Sequence, residues 1–363
     1  MIEIIDIRNF KSIKSASIRG VQKVTLVGGK NNCGKTTLLE AIGMLFGMQD
    51  PNIIGRQLGS RGVNFVSPEP EFMWGPVFHN FDLNGDIDIS AGAANKLQSI
   101  KVKYKHNSRR ILQSFSPAQS GPFFPHGQPL IPTQQSVPVQ DSLDFIFSER
   151  GKTVCISHLY RNGPNIELHL EKPYQGVIRP PALFLARIRS DQEEDAERFG
   201  RLDLEGRLVD IVDILCKIEP SIRSLSLIRN ANTSLIYADV GIGRKVPVVY
   251  MGDGVSRLLS IALAIATSKD GVVLVDEIEN GIHHSVITRI WEALFFASEK
   301  FNCQIIATTH SLECLTSAYK GSEVAGVNTF TYIRLQNKGN EVVGKIFTKD
   351  LLKTAIESEL EVR

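Results

Sequence analysis

Val24-Thr25-Leu26-Val27-Gly28-Gly29-Lys30-Asn31-Asn32-Cys33-Gly34-Lys35-Thr36-Thr37 reads as a strand, a glycine turn and the start of a helix. Val24–Val27 is a short apolar run bounded by glycine, and Thr37-Leu38-Leu39-Glu40-Ala41-Ile42 opens an amphipathic helix. Gly29 and Gly34 let the backbone fold back and aim successive N–H groups inward, and the helix N-terminus adds a positive dipole end. This is the setting that a phosphate-binding loop requires. Lys35 is then expected to reach the outer phosphates of a nucleotide, and the Thr36 hydroxyl to take one position on Mg²⁺.

Three later stretches fit the same chemistry. Gly252-Asp253-Gly254 stands directly before an apolar helix, so its exposed N–H groups are a second candidate phosphate contact. Gly271-Val272-Val273-Leu274-Val275 is an apolar strand ending in Asp276-Glu277. Asp276 is expected to bind Mg²⁺ through coordinated waters, and Glu277 to orient and deprotonate the water attacking a γ-phosphate. Cys303–Thr308 is another buried strand, and His310 at its polar tip is placed to sense a terminal phosphate. At the N-terminus, Ile2–Ile7, Ala16–Ile18 and the Arg8–Ser12 turn form an antiparallel preface whose Lys11 and Ser12 are expected as base or ribose contacts.

Composition sets outer bounds. The chain has 363 residues, enough for a sizeable core, and a net charge of +2, which gives no overall support for nucleic-acid binding. Five scattered cysteines without metal-type spacing fit a reducing cytoplasm. No apolar stretch is long enough to span a bilayer, so a soluble protein with no membrane partner is expected.

Between the two nucleotide-binding segments the period changes to two. Ser99–Tyr104, Leu143–Phe147, Thr153–Leu159 and Asn165–Leu170 alternate as strands. The reading is therefore an α/β fold with a mixed sheet, its core split into residues 1–50 and 180–363 around a β-rich lobe at 51–179. Ser114–Gln140, crowded with Pro, Ser, Gln and Gly, is expected as a long exposed loop, with Phe123-Phe124 either tucked locally or docking a partner. The cluster from Lys101 to Arg110 is either a lysine-protected edge strand or a contact to a phosphate backbone, so DNA is a possible partner.

The order of these motifs resembles the ABC-type ATPases of the RecF/SMC/OLD group, especially the short AAA-type ATPases related to the OLD nucleases. By that resemblance Gly29, Asn31, Asn32, Cys33, Gly34, Lys35, Thr36 and Thr37 belong to the Walker A loop, Asp276 and Glu277 to Walker B, and His310 is the switch histidine. Gly252, Asp253 and Gly254 occupy the place of the ABC signature, without its usual serine, and Arg187–Gln192 that of the Q-loop. No TOPRIM-like nuclease domain is expected after His310. The family implies ATP and Mg²⁺ held in composite sites of a homodimer or higher homo-oligomer, with Glu277 firing hydrolysis. It further implies a separately encoded effector, a nuclease or toxin, in prokaryotic antiphage defence. A RecF-like DNA-repair ATPase and a nucleotide-binding scaffold with little turnover are the alternatives.

Overall fold

A computed structural model describes residues 1–47, 69–93, 95–114, 133–162, 165–173, 182–184, 192–230 and 233–358. In chain order the strands are β1 (Ile4–Phe10), β2 (Ile13–Ile18), β3 (Val24–Gly29), β4 (Ile87–Ala93), β5 (Lys96–Ser114), β6 (Thr133–Glu149), β7 (Lys152–Asn162), β8 (Asn165–Lys172), β9 (Ala182–Phe184), β10 (Ser224–Asn230), β11 (Thr233–Asp239), β12 (Lys245–Pro247), β13 (Val272–Val275), β14 (Gln304–Thr308), β15 (Phe330–Lys338) and β16 (Glu341–Phe347). The longer helices are α1 (Lys35–Phe46), α2 (Gln192–Leu204), α3 (Leu208–Cys216), α4 (Asp253–Thr267), α5 (His284–Phe301), α6 (Leu312–Val324) and α7 (Lys349–Glu357).

Among the described residues 13 strands form one mixed sheet, ordered β8-β7-β6-β5-β4-β1-β2-β16-β15-β3-β14-β13-β9. β3 lies between β15 and β14 and runs parallel to both, which is why all of its residues are buried and why its sequence carries no polar alternation. β13 and β9 continue the parallel set. Each central strand buries both faces. Val273 and Val275, with Ile305 and Ala307, pack under the helices of the second half, whereas Leu274 and Ile306 join the opposite core with Leu38, Leu39 and Ile42 of α1. β10, β11 and β12 form a separate antiparallel sheet. Parallel strands that end side by side bring the tips of β3, β13 and β14 to one edge, which is where such sheets bind ligands.

The strands expected between residues 82 and 170 do form, and they bond edge-on to the same sheet: β4 pairs antiparallel with β1, Ile89 opposite Ile7. One expectation is corrected in part. Ser114 and Thr133–Gln140, read as loop, are strand: β5 and β6 stay in register out to Ser114 opposite Thr133, with Pro138 opposite Arg109. A ladder joins main chains, so polar side chains do not end it once the inner register is fixed. The rest of the expected loop, with Phe123-Phe124, lies outside the described residues.

Among the described residues no helix is long and apolar enough to cross a membrane.

Candidate nucleotide site

Gly34 caps α1 with φ 94°, and Gly29 ends β3 with φ 140°. Both angles favour glycine, and at Gly29 a Cβ would stand 2.6 Å from the Leu335 carbonyl oxygen. Asn32, φ 62°, takes the left-handed conformation that asparagine tolerates. The loop thus has the tight shape its sequence requires. Lys35 is buried at the start of α1, where its Nζ donates to the carbonyls of Gly29 (2.9 Å) and Lys30 (3.1 Å). The ammonium is therefore folded back across the mouth of the loop. Cys33 is buried beside it. Burial pushes its thiol above the ordinary range, while the nearby Lys35 charge pulls in the opposite direction.

Thr36, next along α1, donates to Asp276 Oδ2 at 2.9 Å. The other carboxylate oxygen of Asp276 accepts from Thr308 Oγ1 at 2.5 Å. The tips of β13 and β14 and the start of α1 thereby meet at one carboxylate. A hydroxyl and a carboxylate that already touch are a hard-oxygen pair suited to Mg²⁺, which completes its shell with waters and phosphate oxygens. The expected metal pair, Thr36 and Asp276, is brought together.

Glu277 follows in a left-handed conformation, φ 43°. For a non-glycine residue this costs energy and must be held by its surroundings. Three contacts hold it: Glu277 N donates to Thr308 Oγ1 (2.8 Å), and Arg257 Nη2 reaches the carbonyls of Asp276 (3.0 Å) and Glu277 (3.1 Å). The Glu277 carboxylate accepts from Asn280 Nδ2 at 2.8 Å and lies 3.8 Å from His310 Nδ1. His310 is nearer to Glu279, 3.2 Å from Nδ1 to Oε1. Burial lowers the Arg257 pKa, opposed by the carboxylates of Glu279, Asp276 and Glu277 in that order.

Arg257, Glu279, Asn280 and Thr308 were not singled out from the sequence. A signal existed for Arg257: it is a lone arginine one turn into an otherwise apolar helix, so it needed a buried partner. Asn280 and Glu279 looked like continuation of a turn.

The N-terminal contacts are placed differently. Phe10 is fully buried, and Lys11 Nζ forms an ion pair with Glu40 of α1 at 3.0 Å, both side chains buried. Ser12 Oγ is bonded to Thr37 Oγ1 at 2.8 Å. These side chains fasten the β1–β2 turn to α1. Of the stretch compared with a Q-loop, Arg187–Asp191 lies outside the described residues, and Gln192 starts α2.

Gly252, Asp253 and Gly254 lie at the start of α4 and are largely open. A Cβ added at Gly252 or Gly254 meets nothing within 4 Å. The segment abuts the turn after Walker B, since a Cβ on Gly281 would stand 3.4 Å from Asp253 Cβ.

The site is a tight glycine loop with a buried lysine, set beside an acid-tipped strand at the edge of a mixed sheet. Residues 24–316 match the family described as "AAA domain, putative AbiEii toxin, Type IV TA system", and the chain belongs to that family. A curated relative, "ATP/GTP phosphatase" of Helicobacter pylori (strain ATCC 700392 / 26695), is 23% identical over 343 residues, covering 86% of each chain. Among solved structures, the SMC head bound to the C-terminal winged-helix domain of ScpA superimposes with a TM-score of 0.50 at 13% identity, covering 96% of this chain and 98% of that one. That likeness is one of fold.

Proposed function

We propose that the protein is a Mg²⁺-dependent ATPase that closes as a homodimer over ATP and thereby switches a separately encoded effector, in antiphage defence. The observation that carries the reading is the meeting of Thr36, Asp276 and Thr308 beside Glu277, a nucleotide-hydrolysing arrangement set at the edge of the sheet.

In this reading Lys35 leaves the Gly29 and Lys30 carbonyls and takes the β- and γ-phosphates, while the loop N–H groups between Gly29 and Thr37 cradle the rest. Thr36 and Asp276 would hold Mg²⁺, which when bound would supply charge neutralisation at the phosphate oxygens. Glu277 accepts a proton from the attacking water, and His310 faces the γ-phosphate. The Gly252–Gly254 N–H groups donate to no acceptor among the described residues and would cover the nucleotide of a second copy. The relative's name supports nucleotide hydrolysis and leaves GTP as a competing substrate. The family description, which names a toxin and a toxin–antitoxin system, supports a link to control of a toxin-type effector.

The test combines phosphate release with light scattering. Wild-type protein is expected to hydrolyse ATP, and Glu277→Gln to bind ATP, lose on the order of a hundredfold or more in turnover, and accumulate as a dimer. Native turnover in Glu277→Gln would refute the assignment of the base, and a monomer that turns over fully would refute the composite site.

A further inference from the structure

Glu279 is used more heavily than a surface turn requires. Its side chain is 12% exposed. Oε1 accepts from Thr309 Oγ1 (2.7 Å) and from the His310 main-chain N–H (3.0 Å), and stands 3.2 Å from His310 Nδ1. Its other oxygen, Oε2, is buried with no hydrogen-bond partner among the described residues. His310 itself is half exposed, and its Nε2 makes no hydrogen bond among the described residues.

We propose that Glu279 is the positioning residue for His310, fixing Nδ1–H toward the carboxylate so that His310 meets a terminal phosphate through Nε2–H as an imidazolium. The inference rests on the reading of the site as an ATPase. The chemistry follows from the two ends of the ring. A carboxylate at Nδ1 demands a proton there, and a phosphate oxygen at Nε2 demands a second, so an imidazole between two anions takes up a proton. Among the described residues the other titratable groups facing the Glu279–His310 pair are Glu277, Arg257 and Cys314. Glu277 on the same turn adds to the demand, and Arg257 of α4, of the three acids most strongly attracted to Glu279, opposes it. Cys314 of α6 lies beside Glu279, its thiol pushed up to about 12 by burial. Nucleotide binding is thereby coupled to protonation of one side chain.

The experiment uses the full chain carrying Glu277→Gln, so that ATP is bound and not consumed. Proton uptake on adding Mg-ATP at pH 8 is measured by calorimetry in buffers of differing ionisation enthalpy. One proton per site is expected, lost in His310→Ala and in Glu279→Gln, whose amide oxygen preserves the acceptor for Thr309 and the His310 N–H. In the otherwise wild-type chain, Glu279→Gln is expected to lower kcat about tenfold with KM within about twofold, and Glu279→Asp to recover part of it. Uptake that persists in Glu279→Gln but disappears in His310→Ala overturns the role of Glu279 and leaves the ATPase reading standing. Absence of uptake in the parent overturns it as well. Native kcat in His310→Ala would strike at the site reading itself.

Discussion

The two glycine-bearing segments of this protein present opposite surfaces. At Gly29 a single added carbon would collide with the Leu335 carbonyl and with Cys33, and the loop behind it is occupied by its own lysine. At Gly252 and Gly254 the same carbon would touch nothing. The first segment is held within one chain: the Gly29 and Lys30 carbonyls accept from Lys35, and Gly29 packs against Leu335 of β15. The second is a helix start where a Cβ on Gly252 or Gly254 meets nothing, although Asp253 abuts the turn at Gly281. The difference teaches that one half of the proposed site is preorganised and the other is open, which is what the proposed reading needs if one copy is to grip nucleotide and a second to enclose it.

The largest effect should come from emptying the finished half. Lys35→Ala removes a buried ammonium that spends its hydrogen bonds on two carbonyls in the free protein and is free to exchange them for phosphate oxygens. Losing charge-assisted bonds of about 1.5–3 kcal/mol each should weaken nucleotide binding at least about a hundredfold. Fluorescence binding with a labelled ATP analogue measures it. Unchanged affinity would mean that the loop does not carry the phosphates.

Next comes the anchor beneath that half. Lys11→Met places an apolar chain against Glu40, whose carboxylate is fully buried 3.0 Å from the ammonium it replaces. Breaking one side of a buried pair costs about 3 kcal/mol, so the midpoint of thermal or urea unfolding should fall clearly. The Michaelis constant for ATP should change little, because Lys11 points into the core. A raised constant with unchanged stability would restore Lys11 as a base or ribose contact.

Much of this was legible beforehand. The β3 loop, the Asp276-Glu277 tip and the His310 strand were readable because apolar runs ending in polar residues at glycine turns have few other uses, and the match of residues 24–316 to one ATPase family agrees. What escaped has a physical cause. Lys11 and Glu40 are 29 positions apart and each looks ordinary on its own strand or helix; only the packing of the hairpin on α1 reveals the pair. Arg257 was hidden in the same way, since its partners are main-chain carbonyls, which no side-chain pattern announces. The reach of β5 and β6 was missed because a ladder of main-chain bonds leaves little trace in composition.

A smaller effect is expected from the open half, where folding and function separate cleanly. Gly254→Asp adds a side chain into empty space at the first turn of α4, a position where negative charge favours the helix. Stability should hold or rise slightly. A carboxylate at a surface meant for another subunit's phosphate should nevertheless lower turnover about tenfold, equivalent to about 1.4 kcal/mol, and reduce ATP-dependent dimer in light scattering. Native turnover would show that Gly254 faces no nucleotide.

The smallest effect is expected on the Lys101–Lys103 surface, which belongs to neither half. Lys101 lies 3.2 Å from Asp88 and 3.7 Å from Asp86, and Lys103 lies 3.1 Å from Asp86, between partly exposed side chains of β5, of β4 and of Asp86 just before it. The Lys101 and Lys103 ammonium groups are thus already answered by acids across the strand pair. Exposed pairs of this kind contribute about 0.2–1 kcal/mol each, so replacing both lysines by glutamine should shift stability only slightly. Any affinity for duplex DNA should stay within about twofold, with an unchanged dependence on salt. Were the salt slope instead to fall by about two, those lysines would be releasing counterions from phosphates, and DNA would have to be added as a third participant alongside the gripping and the enclosing halves.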